Sequence, residues 1–255
     1  MASILITGVS TGIGNALARY HLARGDEVLA VSRNPAANIP SQERFHFLRC
    51  DLTDIDRAPA ILQALLSRSP APVDTVYLNA GRFGSPPQLA TQTSMQEFNS
   101  VLALNLGAVK MVLDILLSTT QPPSTVVFSS SISAVRQRAG MLSYSVSKAA
   151  LNALAKIYHL ENPHTFFAVL GLCNVQTAVA KTIMAADERF SDLVALRQRA
   201  AVPGYIVDAE SRAAHIVQVL AERHHLGLKS GEFQEIRDLL NQPLQEETRN
   251  DPIHP

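Results

Sequence analysis

Tyr144 and Lys148 stand four residues apart, a spacing that could support acid–base chemistry. On a helix, both side chains would project from one face, one turn apart. An ammonium close to a phenol favours the phenolate, so we expect Lys148 to lower the pKa of Tyr144 from its ordinary value of about 10. Such a tyrosine could give a proton to a carbonyl oxygen, or take one from an alcohol, near neutral pH. The pair alone is a weak signal, because an exposed helix with a Tyr and a Lys has the same pattern.

A glycine-rich turn follows the first apolar run of the chain. Residues 4–6 are typical of a buried strand, and a helical spacing begins at Ala16. Between them stand Gly8, Gly12 and Gly14. Glycines let a backbone approach phosphate groups closely, and the free N–H groups at the start of a helix favour negative charge. The pattern predicts a pyrophosphate site, and the alternative is an ordinary tight turn between a strand and a helix.

The two motifs together resemble those of the short-chain dehydrogenase/reductase family. The turn reads T-G-x-x-x-G-x-G from Thr7 to Gly14, and the family's other signature is Y-x-x-x-K, found here from Tyr144 to Lys148. The glycine spacing and the length of 255 residues are similar to those of the family's compact branch. The resemblance implies an α/β fold with a single Rossmann-like, doubly wound parallel sheet of about seven strands and helices on both faces.

The elements that must position these motifs follow from apolar runs and helical periodicity. The runs predict strands at residues 4–6, 27–32, 45–50, 73–78, 125–131, 165–172 and 230–236. The periodicity predicts helices at residues 54–68, 95–117 with an interruption at 105–107, 144–159 and 208–222. Ligands of open α/β sheets bind where the strands end.

We expect residues 1–240 to form one dinucleotide-binding and catalytic domain. Residues 178–205 are the expected substrate lid, and residues 35–41 a polar loop. Residues 241–255 are polar and contain prolines, so we expect a flexible C-terminal tail. The lid carries apolar side chains that either face an apolar substrate or pack on the body of the domain, namely Met184, Phe190, Leu193, Leu196 and Tyr205.

The resemblance implies a nicotinamide dinucleotide cofactor, and the end of the second strand bears on which one. Ser32 stands where an acidic residue would bind the ribose 2′-hydroxyl of NAD, and Arg33 follows it. A guanidinium suits a 2′-phosphate, so we predict NADP(H), with NAD(H) as the alternative. Thr11 weakens this prediction, because NADP-using relatives often carry Arg or Lys there. Arg33 could also be a solvated surface residue.

The resemblance assigns further residues to the cofactor. Asp51 would bind the adenine amino group, or else cap the following helix. Val175 and Thr177 would contact the nicotinamide carboxamide. The full set of predicted cofactor-binding residues is Gly8, Ser10, Thr11, Gly12, Ile13, Gly14, Ser32, Arg33, Asp51, Leu52, Asn79, Ala80, Gly81, Tyr144, Lys148, Val175 and Thr177.

The resemblance also implies a catalytic set of Asn105, Ser131, Tyr144 and Lys148. Ser131 lies 13 residues before Tyr144, the separation usual for the family's catalytic serine, and Ser130 is its competitor because one residue turns a side chain to the other face of a strand. The main-chain carbonyl of Asn105 would connect Lys148 to solvent through a water. Asn105 could instead be a locally satisfied amide at a helix kink.

One segment departs from the family pattern. The family follows its sixth strand with Pro-Gly-x-Val-x-Thr, and here the segment is Leu172-Cys173-Asn174-Val175-Gln176-Thr177. Leu172 and Cys173 therefore replace the Pro-Gly pair, which bears on the shape of the nicotinamide site. The seventh, edge strand at residues 230–236 and the short C-terminal segment after it also resemble those of sepiapterin- or benzil-reductase-like members, which makes a dicarbonyl substrate a further expectation.

The composition excludes several function classes. Lys+Arg and Asp+Glu each total 22, which leaves no basic balance for nucleic acid or an acidic membrane. We read Cys50 and Cys173 as buried thiols in a reducing compartment, and we see no signal peptide and no run that approaches the 18 apolar residues of a membrane helix. We therefore expect a cytoplasmic protein without a metal, which forms a homodimer or homotetramer through residues 95–117 and 144–159.

Two functions are compatible with these residues. The first is an NADP-dependent reductase or dehydrogenase that acts on a small-molecule carbonyl or alcohol, with Tyr144 as the acid/base. The second is a dinucleotide-binding sensor or interaction protein on the same fold with little catalysis. The missing Pro-Gly pair favours the second slightly, and the complete catalytic set favours the first.

Overall fold

The computed structural model describes residues 1–39 and 43–241. The predicted polar loop at 35–41 therefore lies partly outside the described residues. The predicted tail at 241–255 lies outside them except for Asn241, which ends a helix.

Seven parallel strands form one sheet, as predicted. Their order across the sheet is β3-β2-β1-β4-β5-β6-β7. The chain reverses its direction of travel across the sheet between β1 and β4, which is where such sheets bind ligands. The strands are β1 Ser3–Thr7, β2 Glu27–Ser32, β3 Phe45–Arg49, β4 Thr75–Leu78, β5 Thr125–Ser130, β6 Phe166–Gly171 and β7 Phe233–Glu235.

Helices cover both faces of the sheet, because successive side chains along each strand point to opposite faces. In β1, Leu5 packs with the apolar sides of α2, α4 and α5, while Ile4 and Ile6 pack with α1, α8 and α9. The helices are α1 Gly12–Ala23, α2 Ala58–Leu66, α3 Met95–Leu102, α4 Ala108–Leu117, α5 Leu142–Glu161, α6 Ala178–Met184, α7 Ser191–Ala200, α8 Ala209–Ala221 and α9 Ile236–Asn241. The doubly wound α/β fold is confirmed.

Some element boundaries differ from the prediction, and local features account for two of them. The helix predicted from residue 54 begins at Ala58, with Pro59 in its first turn. Proline is tolerated there because the N–H groups of the first helical turn have no partner within the helix. The last strand is shorter than predicted, because Gly231 has φ +72°, which a strand cannot continue. The chain then enters α9, which the sequence reading missed because it treated Ile236 as the end of a strand.

The run at residues 95–117 contradicts the expectation that no stretch approaches a membrane helix. It has 23 residues, and a stretch of 18 residues within it has a mean hydropathy of 1.8, so the run passes that test by length and composition. A turn of π-helix at Ala103–Gly107 joins α3 to α4. Val109, Val112, Leu113 and Leu116 are buried in the protein core, which accounts for the apolar composition of α4. We therefore read the run as a core helix.

Candidate active site

The glycine turn between β1 and α1 forms one wall of a deep cavity at the carboxyl ends of the strands. Gly8 and Gly12 have φ of +78° and +63°, the left-handed region that favours glycine. A Cβ on Gly14 would lie 2.2 Å from the Gly8 carbonyl oxygen and 2.5 Å from Asn79 Nδ2. Only glycine therefore lets α1 start so close to β1 and β4.

This first cavity has a volume of about 680 Å³, within the usual range for ligand sites. It brings together most of the predicted cofactor and catalytic residues, although they come from seven separate segments of the chain. Those on its wall are Gly8, Ser10, Thr11, Gly12, Ile13, Ser32, Arg33, Asp51, Leu52, Asn79, Ala80, Gly81, Ser131, Tyr144, Lys148, Val175 and Thr177.

Two predicted site residues do not line the first cavity. Gly14 is buried beneath the turn, so its part is the close packing of α1 rather than contact with a ligand. Asn105 is also buried, within the π-helical turn. The sequence reading missed other wall residues, including Asn34, Arg82 and Lys181, because no motif marks them.

Thr7 holds the ends of β1 and β4 together behind the first cavity. Its Oγ1 donates to the Tyr77 carbonyl oxygen at 3.3 Å and accepts from the backbone N–H groups of Asn79 and Ala80, each at 3.0 Å. Asn79 Nδ2 in turn donates to the Gly8 carbonyl oxygen at 3.2 Å. Thr7 is thus a positioning residue that the sequence reading named only as part of the glycine motif.

The end of the first cavity at β2 and β3 carries Ser32, Arg33 and Asp51. Ser32 Oγ donates to the Asn34 carbonyl oxygen at 2.6 Å, whereas the Arg33 side chain is exposed. Hydrogen bonds from the Thr53 N–H and hydroxyl lower the pKa of Asp51, and the charge of Arg33 adds to this effect while burial opposes it. Asp51 does not cap α2, which begins seven residues later at Ala58.

Tyr144 lies in the first turn of α5, and its side chain is only 9% exposed. Its ring packs against Phe83, with the ring centroids 5.2 Å apart. Burial raises the pKa of Tyr144, and a hydrogen bond with Ser131 partly opposes this. Ser131 is therefore the serine that faces the phenol, whereas Ser130 Oγ donates to Asn152 Oδ1 at 2.6 Å.

Lys148 is buried one turn along α5, with Nζ 5.7 Å from the centroid of the Tyr144 ring. Its ammonium donates to the Ser129 carbonyl oxygen at 2.7 Å. Burial lowers the pKa of Lys148 to about 8. The expectation that Lys148 lowers the pKa of Tyr144 is wrong for the protein alone, because loss of hydration dominates both groups and raises the pKa of the phenol.

Asn105 ties the loop after β4 to α5. Its Oδ1 accepts from the Arg82 N–H, and its Nδ2 donates to the Arg82 carbonyl oxygen and to Ser147 Oγ, all at 2.9 Å. Ser147 Oγ donates to the Tyr144 carbonyl oxygen at 2.7 Å. The side chain is locally satisfied at a helix irregularity, as one alternative held, and the relay through its main-chain carbonyl stays a prediction.

The segment that replaces the Pro-Gly pair still forms a sharp turn. Cys173 has φ +59°, a conformation that glycine adopts without strain. Val175 then forms a β-bridge with Val207, and Thr177 caps α6 by accepting from the Ala180 N–H at 3.4 Å. Both predicted nicotinamide contacts line the first cavity. Cys173 is half-buried rather than buried as expected.

A second cavity of about 380 Å³ lies between the predicted catalytic residues and the predicted lid. Ser131 and Tyr144 line both cavities, so they stand at the junction. Met184, Leu196 and Tyr205 of the lid line the second cavity. Phe190 and Leu193 instead pack in a buried cluster with Tyr144. Three of the five lid side chains therefore line the second cavity, and the other two pack on the body of the domain.

Comparisons with known proteins agree with this architecture. The profile of the short chain dehydrogenase family matches residues 2–192. A fatty acyl-CoA reductase of Acinetobacter baylyi is 30% identical over 62% of this chain and 56% of its own length. An uncharacterized oxidoreductase of Mycobacterium bovis is 25% identical over 97% of this chain and 72% of its own length. The chain thus spans between about half and three quarters of these two relatives.

A solved structure shares the fold. The 3-ketoacyl-(acyl-carrier-protein) reductase of Brucella melitensis, crystallised with NADH, is 20% identical to this chain. The match has a TM-score of 0.73 and covers 92% of this chain and 96% of that one. The family profile, which matches most of the chain, shows that the protein belongs to the short-chain dehydrogenase/reductase family of oxidoreductases.

Proposed function

We propose that the protein is an NADP(H)-dependent oxidoreductase that interconverts a carbonyl group and a secondary alcohol of a small organic substrate. The observation that carries this proposal is the position of Tyr144 and Ser131, which face each other where the two cavities meet. A dinucleotide in the first cavity and a substrate in the second would both reach this pair. Family membership supports a nicotinamide dinucleotide as the cofactor.

The residues of the first cavity fit such a cofactor. The start of α1 would present free backbone N–H groups to a pyrophosphate, and the left-handed Gly8 and Gly12 would let the turn come close to it. Arg33 is exposed at the end where a ribose 2′-phosphate would lie, and within residues 1–39 and 43–241 no ion pair occupies its guanidinium. A guanidinium free to bind a phosphate supports NADP(H) over NAD(H). The bound nicotinamide would supply hydride in reduction, or accept it in oxidation.

The hydroxyl pair would handle the proton. Because burial raises its pKa, Tyr144 is a protonated phenol at neutral pH and can donate to a carbonyl oxygen as that oxygen becomes an alcohol. Ser131 would donate a hydrogen bond to the same oxygen and hold it against the phenol. Below pH 8, Lys148 is an ammonium, and its charge would stabilise the phenolate left on Tyr144.

The decisive test pairs a substrate screen with a tyrosine variant. Purified protein with NADPH is tested against diketones, quinones and aldehydes, and cofactor oxidation is followed by absorbance. Tyr144→Phe should lower kcat by about 10²–10⁴-fold, while NADPH still binds in a fluorescence titration. The matched control is Tyr158→Phe on the same helix, whose hydroxyl bonds Asp114 far from both cavities. Reduction by Tyr144→Phe at the wild-type rate would contradict the mechanism.

A sensor function without useful catalysis is the second candidate. It rests on the replacement of Pro-Gly by Leu172-Cys173 beside the first cavity. The left-handed conformation of Cys173 keeps the turn, which weakens this candidate. NADPH binding without oxidation across the whole carbonyl panel would favour it.

Assembly and location stay predictions. The exposed Ile157 and Leu160 on α5 support a homodimer or homotetramer through this helix, because their side chains are 53% and 69% exposed. Analytical ultracentrifugation of the wild type and an Ile157→Glu/Leu160→Glu variant would test the assembly.

A further inference from the structure

The second cavity has an unusual density of positive charge for a site that would bind an uncharged ketone. Among the residues that the structure describes, four arginines from three separate segments line it, together with a single carboxylate, that of Glu235. The four are Arg136 and Arg138 after β5, Arg199 on α7 and Arg237 on α9. The walls between them include the apolar side chains of Met141, Val179, Ile183 and Met184.

Two of these arginines already have partners. Arg237 Nη2 donates to Glu235 Oε2 at 3.1 Å, so the one carboxylate on the wall is used. Arg199 Nε donates to the Tyr205 hydroxyl at 3.3 Å. Within residues 1–39 and 43–241, no side-chain hydrogen bond or ion pair engages Arg136 or Arg138.

The positive groups influence one another. Burial lowers the pKa of Arg138, the nearby charges of Arg136 and Arg199 lower it further, and Asp192 opposes them in part. Burial raises the pKa of Tyr205, but hydrogen bonds with Arg199 and Asn174 and the charges of Arg199 and Arg237 outweigh this and lower it. Like charges that lie close together destabilise one another, and an anion that enters between them relieves this repulsion.

We propose that the second cavity is a subsite for a carboxylate, and that the preferred substrate is an oxo acid with a short aliphatic chain. The Arg136 and Arg138 guanidiniums would bind the carboxylate, for which their planar forks are suited. The apolar walls would pack the chain, and the carbonyl group would reach Ser131 and Tyr144. The volume of about 380 Å³ lies at the small end of ligand sites, which fits a chain of a few carbons.

This inference rests on the proposed carbonyl reduction, and a comparison within the wild type tests it first. The probes are 5-oxohexanoate and its methyl ester, each reduced with NADPH. The acid should have a kcat/KM about tenfold or more above that of the ester, because the ester has no charge for the guanidiniums. Added salt should narrow the ratio, since ions screen the partly exposed arginines. Equal kcat/KM values for the two compounds would overturn the proposal.

Variants then locate the effect. Arg138→Gln should bring the ratio of kcat/KM for the acid to kcat/KM for the ester towards one. The double variant Arg136→Gln/Arg138→Gln should do the same. Arg57→Gln should leave the ratio unchanged, because Arg57 has an 84% exposed side chain at the start of α2 and lines neither cavity. A double variant that folds, as judged by circular dichroism, and keeps the wild-type ratio would also overturn the proposal.

A binding measurement separates the subsite from the reaction. Hexanoate and hexanamide cannot be reduced as ketones, and their binding to the cofactor-free protein is followed by ligand-observed NMR. Hexanoate should bind about tenfold or more tightly than hexanamide, and the double variant should lose the difference. If this holds but no carbonyl compound is reduced, the proposed function fails and the subsite stands. If neutral ketones are reduced and hexanoate shows no arginine-dependent binding, the subsite fails and the proposed function stands.

Discussion

The two cavities are built in different ways, although Ser131 and Tyr144 belong to both. The first is shaped mainly by backbone, by glycines and by short side chains at the ends of consecutive strands. The second is shaped by long side chains from the loop after β5, the lid and α9. Backbone geometry suits a ligand that many proteins share, whereas long side chains can be exchanged without disturbing the sheet. We infer that the first cavity determines the cofactor and the second selects the substrate.

Among substitutions that add a single methyl group, we expect the largest effect at Gly14, at the base of the first cavity. In Gly14→Ala, the new Cβ would meet the Gly8 carbonyl oxygen at 2.2 Å, and overpacking of this kind costs about 1–3 kcal/mol or more. We expect the displaced turn to weaken NADPH binding about a hundredfold, as measured by fluorescence titration. The control is Gly107→Ala, whose Cβ would approach no atom closer than 4.0 Å. Unchanged affinity in Gly14→Ala would mean that the first cavity does not depend on its backbone.

Lys148→Met tests the buried lysine of the first cavity. The substitution should raise the free energy of unfolding near neutral pH while it lowers the activity. The folded state holds the pKa of Lys148 at about 8, below its ordinary 10.5, so the folded protein binds fewer protons than the unfolded chain between these pH values. The wild type should therefore gain free energy of unfolding as pH rises from 8 to 10.5, by about 3 kcal/mol at 1.4 kcal/mol per unit.

The variant lacks this group, so it should be the more stable protein at pH 7 while it loses most of its turnover. Its advantage in free energy of unfolding should shrink to nothing by about pH 10.5. Urea denaturation at pH 7, 9 and 10.5 measures this difference. A variant that is less stable at pH 7, with the same pH profile as the wild type, would show that burial does not perturb Lys148.

Arg33→Gln tests whether the first cavity selects between the two cofactors. Loss of a charge-assisted contact to a phosphate removes about 1.5–3 kcal/mol, so the KM for NADPH should rise about tenfold to hundredfold. The KM for NADH should change far less, because NADH has no 2′-phosphate. Steady-state kinetics with both cofactors on one substrate gives the comparison. If the KM for NADPH and the KM for NADH change equally, Arg33 does not bind the 2′-phosphate and is a solvated surface residue.

The smallest expected effect is at Cys173, which lines both cavities. Its φ of +59° strains any residue with a Cβ, so Cys173→Gly should be more stable than Cys173→Ala by about 1 kcal/mol. Thermal unfolding of both variants measures the difference. If Cys173→Ala is the more stable, the turn does not hold this conformation in solution.

The positions of the strands along the chain were predictable from the sequence, because each strand has a local signal. Buried parallel strands have short apolar runs, and each predicted run became a strand within a few residues. The glycine turn and the pair Tyr144 and Lys148 were equally accessible, because three glycines or a four-residue spacing can be recognised without knowing what lies nearby. Helix starts were less accurate, as at Ala58, because Pro59 and the preceding turns set the boundary.

Other features depend on neighbours that are distant in the sequence. The choice between Ser130 and Ser131 depended on which hydroxyl faces Tyr144, and the pKa directions of Tyr144 and Lys148 depended on burial. Arg136, Arg199 and Arg237 lie far apart along the chain, and none belongs to a motif. The sequence by itself therefore determined the fold and the nucleotide-binding motif, which short-range patterns encode. Only the tertiary structure decided the charge of the second cavity and the directions in which the pKa values of Tyr144 and Lys148 shift, because both arise from groups that folding brings together.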